Sequence, residues 1–298
     1  MTTTLVTGAT GTVGVHVVRE LQRRQQRVRA LTRDPDHAAA VLATALVDGG
    51  SVDLRQGDLD DPAGVEAAMA GVDRVVLCVG NNPRQQEQER GVIDAAARAG
   101  VRRLVKISAR GARIGSPAEL WEMHARIEQH LAASGVPAVV LRPSTYASNL
   151  LAAAAGVAGA GCLFAPAGSA RISFVDPRDV AAVATETLVE DGHVGQTYIL
   201  TGPEAVSYAE VAERLGAVLD RRIDYVDVPP ETARAGMVEA GMPVWLADQI
   251  LAVFAELRRG AAAVTTDDVA RVLGRPPRPV QDFLGDHAAA FGSQPVPV

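Results

Sequence analysis

The chain has 298 residues, of which 48% are hydrophobic and 21% charged, the balance of a soluble globular protein with room for one large α/β unit or two lobes. Lys and Arg total 29 against 35 Asp and Glu, a net charge of −6, which excludes the basic footprint of a nucleic-acid binder. Two cysteines, Cys78 and Cys162, without CxxC spacing, exclude a disulfide scaffold and a structural zinc site, and no metal is expected.

Residues 3–7 are a short β-type run, and the loop Gly8-Ala9-Thr10-Gly11-Thr12-Val13-Gly14 follows at once. Val13, Val17, Val18 and Leu21 then recur at helical spacing, with Arg19, Glu20, Arg23 and Arg24 on the other face. Strands are predicted at 27–32, 52–56, 74–79, 103–108 and 138–142, with helices at 62–70, around 93–99 and at 118–133. Alternating strands and helices of this length imply βαβ units, and apolar runs imply a parallel sheet covered on both faces. The fold class is therefore α/β: a Rossmann doubly wound parallel sheet with a smaller α/β C-terminal lobe.

Residues 143–170 carry no charge, but Ala, Gly and Ser with Asn149 and Pro166 predict a buried small-residue helix and a loop, not a membrane span. Later strands are expected at 172–175, 197–200 and 223–228, and a helix capped by Ser207 runs to 219. Residues 230–291 read as mostly helical, punctuated by Pro276, Pro277 and Pro279, with Pro295 and Pro297 at the end. The boundaries expected are 1–145 for the dinucleotide-binding domain and 146–298 for the substrate lobe, with 172–192 returning to the first. The N-terminal residues show no signal-peptide pattern, so the expected location is cytoplasmic.

The loop carries the chemistry. Gly8 permits the tight turn, Gly11 lets the backbone approach a pyrophosphate, and Gly14 lets helix and strand pack closely. Thr10, Thr12 and Val13 complete the cradle at a helix N-terminus that offers N–H groups to phosphate. At the end of the second strand Leu31-Thr32-Arg33-Asp34 presents Arg33 to a ribose 2′-phosphate, which predicts NADP(H) and admits NAD(H). The plainer reading makes Arg33 a solvated charge and Asp34 a helix cap. Asp58 and Leu59 after the third strand are placed to edge the adenine, with Asp58 alternatively an ordinary turn cap; Val79 and Gly80 at the end of the fourth join the cofactor set.

The glycine loop, Arg33, Gly57-Asp58, Asp176-Pro177-Arg178-Asp179-Val180, Leu141-Arg142-Pro143-Ser144-Thr145-Tyr146 and Gly274-Arg275-Pro276-Pro277 together resemble the atypical short-chain dehydrogenase/reductases, and within them the NmrA-like group. That resemblance implies a Rossmann domain, a substrate cleft beneath a smaller lobe, and kinship with flavin-free NADPH-dependent quinone oxidoreductases. The sequence departs from the superfamily's Tyr-x-x-x-Lys helix. Aligning Glu128 with the acid that follows the superfamily's Lys puts His124 at the Lys position and Leu120 at the Tyr position.

Three residues are candidates to replace the missing pair. His124 titrates near neutrality and can contact ribose or relay a proton. Ser108 ends the fifth strand near the superfamily's Ser. Tyr146, with Asn149 nearby, follows the sixth strand and can face the nicotinamide. Each has a plainer reading, as a surface helix His, a strand-end hydroxyl satisfied by backbone, and a packing residue. Glu122 sits on another helix face and reads as solvated. The function expected is an NADPH-dependent reductase passing hydride to a quinone, enone or similar conjugated carbonyl. The alternatives are an NADP(H)-sensing regulator without turnover and an isomerase or cyclase on the same fold. The partners implied are a small-molecule substrate, with no nucleic acid or membrane, and a homodimer is admitted.

Overall fold

The structure is a computed structural model that describes residues 2–47 and 50–292. Met1, Pro295 and Pro297 lie outside the described residues. The elements, in chain order, are β1 (Thr3–Thr7), α1 (Gly14–Arg23), β2 (Arg27–Thr32), α2 (Pro35–Leu42), β3 (Val52–Gln56), α3 (Pro62–Met69), β4 (Arg74–Leu77), α4 (Gln85–Arg98), β5 (Arg103–Ile107), α5 (Glu119–Ala133) and β6 (Ala138–Pro143). There follow α6 (Ala154–Ala160), β7 (Cys162–Ala165), α7 (Pro177–Val189), β8 (Thr197–Leu200), α8 (Tyr208–Leu219), β9 (Asp224–Asp227), α9 (Pro230–Glu239), α10 (Val244–Arg258), α11 (Asp268–Leu273), α12 (Val280–Asp286) and α13 (Ala288–Gly292).

Seven strands form one parallel sheet in the order β3-β2-β1-β4-β5-β6-β8. The alternation along β1 shows why its run is apolar throughout: Leu5 packs with α3, α4 and α5 on one face, while Val6 packs with α1, α2 and α7 on the other. Strand order reverses between β1 and β4, and the chain's loops at their C-terminal ends border the crevice there. A second, two-stranded parallel sheet, β7-β9, packs with α8, α12 and α13 around Phe174, Tyr208 and Phe283. Helix α7 lies on α1, and β8 and α11 also join the first sheet and its core.

Several local predictions change. Residues 172–175 join no sheet; single bridges tie Val175 to Tyr146 and Ile172 to Val206. The uncharged 143–170 stretch resolves into a 3₁₀ run over Ala147–Ala153, then α6 and β7. Gly161 at φ +66° supplies the left-handed turn between the last two. Helix α4 starts at Gln85, well before 93, because its polar first turns hide Gln85 and Glu89 in the interior. Ser207 caps α8 in a full capping box with Glu210.

Candidate functional site

The glycine loop bends over the switch point. Gly8 has φ +60°, and a Cβ there would stand 2.3 Å from the Cys78 carbonyl oxygen. Gly14 is tighter: its Cβ would meet the Gly8 carbonyl oxygen at 2.1 Å. Gly11 differs from both, since its Cβ would meet only the Gly8 oxygen, at 3.2 Å, and the residue is exposed. Apart from that one close oxygen its exposed side is uncrowded, where a ligand has room. Thr7 ties β1 to the end of β4, its hydroxyl accepting from the Cys78 N–H at 2.9 Å and donating to the Cys78 carbonyl at 3.1 Å. Thr10 is half-buried and Thr12 exposed, while Val13 is buried in the core. No side chain caps α1 and no acid stands in its first turn, so its N-terminal field is free for an anion. These features fit a dinucleotide pyrophosphate.

Arg33 is exposed at the end of β2, and among the described residues no carboxylate pairs with it. Asp34 turns the other way and caps α2, accepting from the His37 N–H at 3.0 Å. Arg33 can thus meet a 2′-phosphate without a competing acid from its neighbour. Asp58 makes a turn, accepting from the Asp60 N–H at 3.0 Å, and Leu59 packs on the core below β3. Val79 packs against the same core, and Gly80 is exposed, with no atom within 4 Å of where a Cβ would stand. Across this mouth Arg84 reaches Asp60 at 2.8 Å, while Gln88 donates to Asp60 and accepts from Asn82, bracing the β3 and β4 loops together.

The catalytic candidates fall into different surroundings. Ser108 donates to Glu128 Oε1 at 2.5 Å, and Arg142 grips the same carboxylate through Nε at 3.0 Å and Nη2 at 2.5 Å. The Ser108 proton is therefore committed to a brace joining β5, β6 and α5. Leu120 is buried, packed with Met123 and Trp245 across the α5–α10 contact, so α5 offers no phenol. Tyr146 packs with Cys78 against the core, and burial pushes its phenol above the usual range. Among the described residues nothing pairs with its hydroxyl. Burial also raises the Cys78 thiol to about 11, which leaves it protonated and inert. Asn149 is exposed three residues beyond Tyr146.

His124 is buried, and its Nδ1 lies 3.2 Å from Lys106 Nζ. Burial, and then the Lys106 ammonium, hold its imidazole well below the ordinary range. With the ammonium donating to Nδ1, the ring proton resides on Nε2. His124 is thus a neutral imidazole and does not titrate near neutrality as the sequence suggested.

Lys106 is the residue that sequence reasoning missed. It is fully buried on β5 and pairs with the fully buried Glu89 of α4 at 2.6 Å, while also donating to the Ile107 carbonyl. Gln85 Nε2 donates to Glu89 Oε1 at 2.8 Å and to the Val79 carbonyl at 3.3 Å, linking the pair to the end of β4. Burial raises the Glu89 carboxyl, opposed by Lys106 and Gln85. The signal was present: Lys106 is the only lysine in the chain, and it interrupts the apolar run Leu104-Val105-Lys106-Ile107.

Asp176-Pro177-Arg178-Asp179 has a structural role. Asp176 caps α7, and the fully buried Asp179 receives Arg275 at 2.8 Å and the Arg278 N–H at 2.6 Å, fastening the 275–278 segment to the first core.

Fold and loop together define a Rossmann-type dinucleotide-binding protein, with the glycine loop at the switch point of the sheet. The sequence matches the NmrA-like family profile over residues 1–274. It is 38% identical over 291 residues to the (4-alkanoyl-5-oxo-2,5-dihydrofuran-3-yl)methyl phosphate reductase of Streptomyces griseus, covering 97% of this chain and 99% of that protein. It is 36% identical over 289 residues to the NAD(P)H azoreductase of Xenophilus azovorans, with the same coverages of 97% and 99%. The NADPH complex of the NADPH-dependent quinone oxidoreductase QOR2 from Escherichia coli superposes with a TM-score of 0.83 at 27% identity, over 95% of this chain and 99% of that one. The chain belongs to the NmrA-like family.

Proposed function

We propose that the protein transfers hydride from NADPH to a conjugated carbonyl or quinone-like small molecule without a Tyr-Lys pair. The chain is an NAD(P)H-dependent oxidoreductase. Its relatives, named for an azo acceptor and an acylated oxo-dihydrofuran, act by name on acceptors of conjugated type. The observation that carries the substrate class is on α5, where Leu120 is packed into an apolar cluster and His124 is a neutral imidazole. A saturated ketone would leave a localised alkoxide that needs a strong acid nearby. A quinone or enone delocalises the charge and can take its proton from water or a hydrogen-bond donor.

When bound, the reduced nicotinamide supplies two electrons and one hydrogen as hydride. The chain's own part is to hold and orient. The uncapped α1 N-terminus and the Gly11 face hold the pyrophosphate, and Arg33 holds the 2′-phosphate. Tyr146, protonated and unpartnered, donates a hydrogen bond to the acceptor oxygen. His124 and Lys106, paired between α5 and β5, would form a buried polar floor on the ribose side of the bound cofactor. Proximity then does most of the work.

Mixing protein, NADPH and a quinone panel and following the reduced nicotinamide absorbance tests this reading. One NADPH consumed per quinone reduced is expected. Tight NADPH binding with no consumption across quinones, enones and azo compounds would favour the sensor instead. The same reading includes the division near residue 145, a cytoplasmic location and a homodimer, checked by limited proteolysis, cell fractionation and light scattering. Among the described residues no helix is long and apolar enough to cross a membrane.

A further inference from the structure

Arg110 lies in the turn after β5, half-buried, and its backbone N–H donates to the Pro143 carbonyl at 2.9 Å at the end of β6. It is therefore on the substrate side of the switch point, away from β2 and Arg33. Its Nη1 donates to the Ser173 hydroxyl at 2.8 Å. Ser173 is fully buried, spends its own proton on the Ala262 carbonyl at 3.1 Å, and lies 3.2 Å from the Ser144 hydroxyl. This anchoring uses one of the five donors of the guanidinium. Among the described residues no carboxylate pairs with it, and burial alone acts on its charge. Arg74 makes the contrast: burial, with Arg103 and Arg102, lowers its guanidinium too, but Asp73 and Asp191 stand near it and act in the opposite sense. Next to Arg110, a Cβ on Gly111 would stand 2.1 Å from the Trp121 ring, so the indole lies directly on this turn.

A partly desolvated cation, held at one end by a single neutral hydroxyl and left without a counter-charge on a turn that an indole covers at Gly111, is costly unless something anionic completes it. We propose that Arg110 is a substrate-specificity residue that binds an anionic oxygen group, a carboxylate, sulfonate or phosphate, carried by the reducible molecule. This deepens the reductase reading and rests on it. Arg33 and Arg110 then stand on opposite sides of the switch point, one for the cofactor's phosphate and one for the substrate's anion.

The test is equilibrium binding to the protein saturated with NADP+, where no turnover occurs, using 1,4-naphthoquinone-2-sulfonate and its neutral parent 1,4-naphthoquinone. The sulfonate is expected to bind at least tenfold tighter, and raising the salt should shrink that ratio. Arg110→Leu and Arg110→Gln should each lower the ratio by about tenfold to a hundredfold, the range of a charge-assisted hydrogen bond, while Arg110→Lys keeps part of it. Ser173→Ala, which frees Nη1, should lower it less. A ratio untouched by Arg110→Leu, or no binding of the sulfonate, overturns the inference. So does a variant that loses NADP+ affinity but not NAD+ affinity, which would assign the guanidinium to the cofactor. Parallel NADPH-consumption assays keep the two readings separable: an intact anion preference with no quinone reduced sinks the quinone-type acceptor and leaves Arg110 as an anion-binding site only, whereas quinone reduction with no anion preference sinks Arg110 alone.

Discussion

The two halves of the cleft are built from different materials. The cofactor end is made chiefly of backbone: Gly8, Gly11 and Gly14 and an uncapped helix, with Arg33 as an exposed cation that no carboxylate pairs with among the described residues. The reaction end is made of buried side chains drawn from α4, β5, α5 and β6, held by Lys106–Glu89 and by Ser108–Glu128–Arg142. In the first half there is no room for a Cβ at Gly8 or Gly14. The second depends on buried charges held in pairs. Substitutions therefore damage the two ends by different physics, overpacking on one side and desolvated charge on the other.

The largest effects should come where both materials are least forgiving. Gly14→Ala puts a Cβ 2.1 Å from the Gly8 carbonyl oxygen, and Gly8→Ala combines a 2.3 Å clash with φ +60°. Each should cost about 3 kcal/mol or more in urea unfolding. Gly11→Val meets only a 3.2 Å neighbour and should fold normally by circular dichroism while losing dinucleotide binding. A folded Gly11→Val protein with unchanged NADPH affinity would break the backbone half of the comparison.

At the other end, Lys106→Met strands the fully buried Glu89 carboxylate. That should cost about 3–5 kcal/mol, and adding Glu89→Gln should restore much of it, because a neutral amide needs no counter-charge. Additive losses in that double-mutant cycle would show that the pair is not coupled.

These contrasts also explain what the sequence disclosed. The glycine loop was legible because its meaning is local: seven consecutive residues between a strand and a helix specify a backbone shape. Ser207 as the cap of α8 was legible for the same reason, while its reciprocal partner Glu210 came from the structure. The polar floor was not. Glu89 and Lys106 are 17 positions apart and meet only because α4 and β5 pack, so Glu89 reads as one more charge in a Gln- and Glu-rich run. Ser108 was found by position, but its commitment to Glu128 depends on helix α5 lying across it. Only the lone lysine in an apolar strand announced that something buried must answer it.

Arg33→Asp tests the charged contact at the backbone end. NADPH should bind tighter than NADH to the unmodified protein, and the substitution should remove about 1.5–3 kcal/mol of NADPH binding, roughly tenfold to a hundredfold, with little effect on NADH. Equal affinities for both cofactors at the start would mean that Arg33 is only solvated.

The smallest effects concern His124 and Tyr146. His124→Ala and Tyr146→Phe should each lower turnover by roughly tenfold, below the 10²–10⁴-fold of an essential general acid. A loss of three decades in either, with cofactor affinity intact, would make that residue the acid. Because burial and Lys106 keep His124 neutral, it holds no imidazolium proton to give, and with water as the donor the rate should be flat between pH 6 and 8. The pH dependence appears in stability instead. A His whose folded pKa is depressed contributes fully above its unfolded value near 6.5 and loses that contribution as pH falls, since the unfolded chain takes the proton first. Chemical unfolding should thus weaken below pH 6.5 by at most about 1.4 kcal/mol per pH unit from this group. Glu89, raised by burial, acts in the opposite sense, so the measurement must be a difference. His124→Gln should flatten the acid side of the profile relative to the unmodified protein; an unchanged slope would place the imidazole outside the desolvated floor and return it to the role of a surface residue.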